Sequence, residues 1–275
     1  MLDGVLFFPV TPFAADGAVD AGALAEHVRR GLGAGPGGIF AACGTGEFHA
    51  LAPEEHQEVV RTAVTAAGGQ VPVFVGAGGP LPTAVRLARG ARDAGASGLL
   101  LMPPYLVQGP PAGLVAYTEA VAALPTVAGF KDGTGDLDLL GQIVTAVRES
   151  LPDKPFQFFN GMPTAEVTVQ AYRGIGVGLY SSAVFCFAPE LSLAFYRAVT
   201  GDDAMTAHRL LADFFHPLVR LRNKVPGYAV SLVKAGVGLC GLDVGGVRPP
   251  LTDPPPEHLA ELRRILDAGQ AVVAT

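Results

Sequence analysis

Several short segments of the 275-residue sequence hold side chains able to do chemistry on a carbonyl compound. Lys131 closes the run TVAGFK (126–131), and strand alternation sets it on the same face as Val127 and Gly129, where glycine leaves room beside an amine. A lysine amine of pKa ~10.4 is protonated and unreactive at neutral pH; desolvation in an apolar barrel favours the neutral nucleophile, which attacks a ketone and forms an imine. The alternative is a surface lysine paired with Asp132. In ACGTGEF (42–48), Gly44 and Gly46 let backbone donors approach a ligand, and Thr45 adds a hydroxyl, a set suited to a carboxylate. Glu47 is an acid–base candidate but reads better as an organiser of the loop, or as a cap for the helix that begins near Pro53. Tyr105, after Pro103 and Pro104, is a rim phenol for substrate or a neighbouring subunit. Asn160, Gly161, Ser181 and Ser182 are candidates for the far end of a substrate. For Thr11, Ser181 and Ser182 a turn or cap role is an equal alternative.

These residues need elements that bring them to one place. Short aliphatic and β-branched runs at 5–9, 38–42, 71–76, 98–102, 126–131, 156–160 and 177–182 read as buried parallel strands. Between them 21–33, 53–67, 82–94, 113–123, 136–150 and 163–173 carry helical period, and 188–198, 204–221, 225–237 and 256–268 form a helical tail. Pro53 followed by Glu54 and Glu55 is a good helix start, since proline lacks only a donor that the first turn leaves unpaired. Alternating strands and helices fit an open doubly wound sheet or a TIM (β/α) barrel. The first strand runs into PVTPF, which cannot cradle a pyrophosphate as GxGxxG does, whereas polar residues follow several strands, as at a barrel mouth. The expected organisation is a β/α barrel over 1–185, with 186–275 as a helical region packed on it.

Composition removes other classes. A net charge of −6 without clustered Lys and Arg argues against a nucleic-acid partner, and 49% hydrophobic with 16% charged residues suits a large buried sheet. No run is long enough to span a bilayer, and the amino terminus has no basic segment before its apolar stretch, so a cytoplasmic protein is expected. Cys43, Cys186 and Cys240 lack disulfide or zinc spacing, and His49 and His208 lack metal-ligand spacing, so reduced thiols and no metal are expected.

FPVTPF, GTGEF, PPYL and GFKDG, in this order and at barrel spacing, resemble the dihydrodipicolinate synthase and N-acetylneuraminate lyase superfamily. Within it, AACGTGEFHALAPEE, GFKDGTGD, GMPTAEV, YSSAVFCFAPE and VPGYAVSLVKAG look most like the branch that dehydrates and decarboxylates 5-dehydro-4-deoxy-D-glucarate. The resemblance implies a cofactor-free, metal-free lyase with Lys131 as imine former and Gly44 and Thr45 as carboxylate binders. It also implies a small sugar-acid or 2-oxo acid substrate and a dimer or tetramer. Aldolase or synthase chemistry on a 2-oxo acid is the neighbouring alternative. One segment departs from the pattern: the superfamily's strand ending in a Tyr-Asn pair, expected between PPYL and GFKDG, is missing, a deficit of about 30 residues or one βα unit. That tyrosine relays protons in the superfamily, and Tyr105 or Tyr117 would have to replace it in an active enzyme; a catalytically impaired 2-oxo acid binder is the other outcome. The strand 126–131 is expected to lie directly beside 98–102, as a closed seven-strand barrel requires; a gap left open in the wall is the alternative.

Overall fold

The computed structural model describes residues 2–102, 110–123 and 126–274. Strands and helices alternate as β1 (Leu6–Phe7), α1 (Ala21–Gly33), β2 (Gly38–Ala41), α2 (Pro53–Ala67), β3 (Val73–Ala77), α3 (Leu81–Asp93), β4 (Gly98–Leu101), α4 (Pro111–Ala122), β5 (Gly129–Asp132), α5 (Leu137–Ser150), β6 (Gln157–Asn160), α6 (Val169–Gly174) and β7 (Leu179–Ser182). A helical tail follows, with α7 (Pro189–Thr200), α8 (Ala204–Leu210), a π turn (Leu211–Phe215), α9 (His216–Arg222), α10 (Tyr228–Leu239) and α11 (Pro256–Val273). Helix starts follow side-chain chemistry. Asp20 and Asp136 accept from Ala23 N and Leu139 N at 2.8 and 3.0 Å, and Glu55 accepts from Ala52 N at 2.9 Å ahead of Pro53.

All ladders are parallel, and the sheet order is β4-β3-β2-β1-β7-β6-β5. The seven strands curl into a half-barrel that stays open: β4 and β5 are its two edges. The closed arrangement, with 126–131 beside 98–102, is therefore incorrect. Closing a barrel with one strand fewer would change tilt and shear at every ladder, whereas losing one βα unit leaves the remaining pairs intact and a seam between its former neighbours. Leu99 and Leu101 on β4 are 41% and 64% exposed, as a seam requires. Helix α4 leans to the other side of the seam, where Leu114, Val115 and Ala122 pack into a core with α5, Phe158 and Tyr172.

The strand alternation sorts side chains into two layers. Outward, Phe7, Ile39, Val73, Val75 and Tyr180 join the main core, which runs on through α7 to α11 as far as Val272. Inward, Leu6, Phe8, Phe40, Cys43 and Phe159 form an aromatic filling. Phe40 stacks on Phe8 at 4.6 Å and on Phe74 at 4.9 Å, with Phe159 tilted 5.9 Å away. Truncating a ring in the middle of such a stack removes contacts on three sides, so Phe40→Ala is expected to cost about 3–5 kcal/mol. Urea denaturation checks this, as a lowered midpoint with an unchanged slope.

Two element boundaries differ from the sequence expectation in ways that matter to the site. β5 ends at Asp132 rather than Lys131, so the lysine sits within the strand. The helix expected over 163–173 starts instead with a 3-10 turn (Ala165–Val167) followed by the short α6. The Asn160 amide spans that turn, donating to Ala165 O and Thr168 Oγ1, and Thr164 takes a left-handed φ of 54°, which no continuous helix allows.

Candidate active site

Lys131 projects into the aromatic layer rather than to bulk water. Its side chain is half-buried, and the amine lies 4.4 Å over the Phe8 ring and 5.8 Å from the Phe159 ring. Among the described residues no carboxylate is ion-paired with it. Burial among these rings holds the amine below its ordinary 10.5, while the neighbouring Cys43 opposes the shift weakly. Asp132, the alternative partner, is committed elsewhere: its carboxylate accepts Thr134 N at 2.9 Å, Thr134 Oγ1 at 2.8 Å, Gly135 N at 3.2 Å and the Tyr172 hydroxyl. It shapes the turn after β5 and makes no ion pair with the lysine.

The space for the lysine stem comes from a glycine other than the one expected. Gly129 is exposed, and a Cβ there would meet Gln157 O at 2.6 Å, so its role is close approach of β5 to β6. At Gly161 a Cβ would lie 2.2 Å from Lys131 Cε and 2.5 Å from its Cγ. Asn160 and Gly161 are thus brought to the lysine, but Asn160 is fully buried and spent on the turn, where it also accepts Met162 N at 3.0 Å.

The GTGE turn meets the lysine through Cys43, which precedes it. Lys131 and Cys43 are electrostatic neighbours, and burial pushes the thiol up to about 12, so it stays protonated and donates to Ala41 O at 3.4 Å. Gly44 is exposed and Thr45 half-buried, whereas Gly46 and Glu47 are buried beneath them. Thr11, 1% exposed, donates to Gly46 O at 2.7 Å and braces the turn from below. Glu47 acts as an organiser: Oε1 lies 2.8 Å from Lys234 Nζ, and Oε2 accepts Arg248 N at 3.0 Å. The helix start at Pro53 is held by Glu55 instead.

At β7 the hydroxyls point into protein. Ser181, 8% exposed, donates to Asn160 O at 3.4 Å. Ser182 lies 2.5 Å from both Glu166 Oε1 and Ser192 Oγ and accepts Phe185 N, on the helix-covered side. Burial lifts the Glu166 carboxyl to about 7. Tyr105 falls outside the described residues. Tyr117 stands 61% exposed on α4, and His49 and His208 are exposed. No group of three or more His, Cys, Asp or Glu among the described residues could hold a metal ion, and all three thiols are free, Cys240 at the surface. No described helix is long and apolar enough to cross a membrane.

Sequence reasoning missed Phe8, Lys234 and Arg248. A signal for Lys234 was present: it is the one charged residue in VPGYAVSLVKAG, a helical stretch otherwise apolar on all sides.

Comparison with known proteins agrees with this geometry. A model of the dihydrodipicolinate synthetase family matches residues 1–126 and again 118–269, its two stretches meeting at the seam. The protein named "Probable 5-dehydro-4-deoxyglucarate dehydratase 1" of Streptomyces coelicolor is 52% identical over 296 positions, covering 98% of this chain and 94% of its own. Its counterpart in Streptomyces griseus, "Probable 5-dehydro-4-deoxyglucarate dehydratase", is also 52% identical, over 298 positions, 98% of this chain and 93% of its own. As 98% of 275 residues is about 270, some 26 of the 296 positions have no residue here, about the size of one βα unit. The crystal structure of dihydrodipicolinate synthase from Bacillus clausii superposes with a TM-score of 0.87 at 24% identity, over 98% of both chains. With the half-barrel, its helical tail and matches over nearly the full length, the chain belongs to the dihydrodipicolinate synthetase family.

Proposed function

We propose that the chain is a carbon–oxygen lyase that converts 5-dehydro-4-deoxy-D-glucarate to 2,5-dioxopentanoate, carbon dioxide and water through an imine on Lys131. The observation that carries the reading is an amine with no acidic partner among the described residues, desolvated over Phe8 beside the GTGE turn. The names of the Streptomyces relatives supply the substrate.

The neutral amine attacks the keto carbon, and one water leaves as the imine forms. The protonated imine draws electron density from the adjacent CH2, whose proton and the hydroxyl one carbon further leave as water. The far carboxylate then departs as carbon dioxide, its electron pair passing along the new double bond to the imine nitrogen, and uptake of one proton with tautomerisation of the resulting enol gives the aldehyde end. Hydrolysis consumes one water and frees the lysine, leaving a net release of one water and one carbon dioxide. Phe8 presents its ring face to the nitrogen, and this stabilises a cationic imine by about 1 kcal/mol. Backbone N–H groups at Gly44 and Gly46 with the Thr45 hydroxyl take the carboxylate. Ser181, Ser182, Asn160 and Gly161 belong to the proposed far wall, with Ser182 and Asn160 acting through the structure they hold. Neither metal nor organic cofactor enters this scheme. A homo-oligomer, dimer or tetramer, and a cytoplasmic location complete the proposal.

The open seam favours a second reading, a protein that binds 2-oxo acids without turnover. Borohydride treatment in the presence of pyruvate, followed by peptide mapping, tests the first step. A reduced adduct on Lys131 is expected, and its absence would refute the imine. An adduct without conversion of 5-dehydro-4-deoxy-D-glucarate, or with pyruvate-dependent condensation instead, would move the protein to the second reading or to synthase chemistry.

A further inference from the structure

We infer that the buried Lys234–Glu47 ion pair, extended by Arg248, is a clamp through which the helical tail holds the Gly44–Thr45 turn in its carboxylate-binding shape. Lys234 and Arg248 are then positioning residues for a turn 187 and 201 residues away in sequence. The inference rests on the imine reading above and adds to it the control of 2-oxo acid affinity.

The turn is strained and needs a holder. Ala42 and Glu47, at its two ends, take left-handed φ values of 48° and 55°, which a residue with a Cβ avoids. Such strain persists only where the surroundings over-determine it. The turn closes on itself through Glu47 N to Gly44 O and Phe48 N to Cys43 O, both at 3.1 Å, Thr11 adds a tie through Gly46 O, and the Glu47 side chain is tied to the tail. Lys234 on α10 is 2% exposed, pairs with Glu47 Oε1 at 2.8 Å, and donates to Gly246 O at 2.7 Å. Arg248 gives its backbone N–H to Glu47 Oε2 at 3.0 Å. Its guanidinium forks onto Glu55 at 2.6 and 2.8 Å and reaches Ala50 O at 2.7 Å and Gly17 O at 2.5 Å. Phe13 underlies both cations, at 4.0 Å from the Lys234 amine and 3.9 Å from Arg248. Both oxygens of Glu47 are thus held by the tail, beneath a turn whose upper residues, Gly44 and Thr45, stay accessible.

A buried ion pair is poor value for stability alone, because apolar residues of the same volume do as well; its directional bonds fix one backbone shape. A clamp of this kind acts on the free energy of binding the carboxylate more than on the reaction of the amine, since Lys131 is anchored on β5 and β6 instead.

The test is borohydride trapping by the full-length chain across a range of pyruvate concentrations, comparing wild type with Lys234→Met and Arg248→Met. For Lys234→Met the half-saturating pyruvate concentration is expected to rise about tenfold or more; for Arg248→Met, which keeps the backbone bond to Glu47 and loses only the guanidinium ties to Glu55, Ala50 and Gly17, it is expected to rise about threefold, and in both the trapping rate at saturation falls by less than about threefold. Circular dichroism normalises the rates to folded protein. Wild-type half-saturation in the folded variants would overturn the clamp, as would a loss of saturating rate at unchanged half-saturation. Should Lys234→Met fail to fold, Lys234→Met combined with Glu47→Gln, which leaves no buried charge unpartnered, is measured in its place. A wild type that forms no adduct refutes the imine reading itself, an outcome distinct from variants that bind as wild type does.

Discussion

Lys131→Ala is expected to abolish borohydride trapping and to lower dehydratase turnover by roughly 10⁴-fold or more, the scale on which loss of a covalent nucleophile acts. The surrounding fold should persist, because the amine makes no ion pair among the described residues and its loss leaves no charge unpartnered. The same amine sets a pH dependence whose sign follows from its environment. Attack requires the neutral form, and an unperturbed lysine is neutral in only about one molecule in 3,000 at pH 7. Burial over Phe8 and Phe159 lowers the pKa, so the neutral fraction at any neutral pH is larger. The trapping rate at low pyruvate should rise about tenfold per pH unit while the amine is protonated, then level off at a pH below 10.5. A profile still climbing at 10.5 would contradict the burial of this nitrogen, and a Lys131→Ala protein that traps pyruvate at the wild-type rate would remove the lysine from the mechanism.

Gly161→Ala is the second large effect, and it acts through position alone. The added methyl would lie 2.2 Å from Lys131 Cε, 2.5 Å from its Cγ and 2.4 Å from Asp132 O, separations that cannot be kept. The carbonyl belongs to a ladder residue, and Gly161 N donates to it at 2.8 Å, so the flexible partner is the lysine stem. Moving a reacting atom by about 1 Å costs on the order of 10²-fold, so trapping and turnover should fall about that much with the amine still present. Single-turnover trapping at saturating pyruvate separates this from a folding defect. A variant with the wild-type saturated rate would show that the stem relaxes without displacing the amine.

The seam between β4 and β5 bears on how far the chemistry runs. A half-barrel retains the lysine, the GTGE turn and the ring beneath the amine, because β1, β2 and β5 are all present, and β5, although it borders the seam, is held by its ladder to β6. On the other side of the seam from β5 lies β4, where Leu99 and Leu101 are exposed. Trapping reads imine formation alone, whereas turnover also requires the proton transfers that follow it. The trapping and turnover experiments therefore report on different steps.

The sequence by itself determined the seven strands, their alternation with helices, the helical tail and the placing of Lys131 at an apolar strand. These are written locally: apolar runs of strand length, helical periods with Asp and Pro at their starts, and a single lysine closing one of the apolar runs. It also revealed the lost βα unit, through the order of its motifs. Tertiary structure alone decided that the sheet stays open, since closure depends on the shear of all the strands together rather than on any one of them. It alone exchanged Gly129 for Gly161 as the residue that makes room for the amine, turned Ser182 and Asn160 towards internal partners, and joined Glu47 to Lys234 and Arg248. Each of these is a contact between segments far apart in the chain, where local periodicity carries no information and only packing determines which surfaces meet.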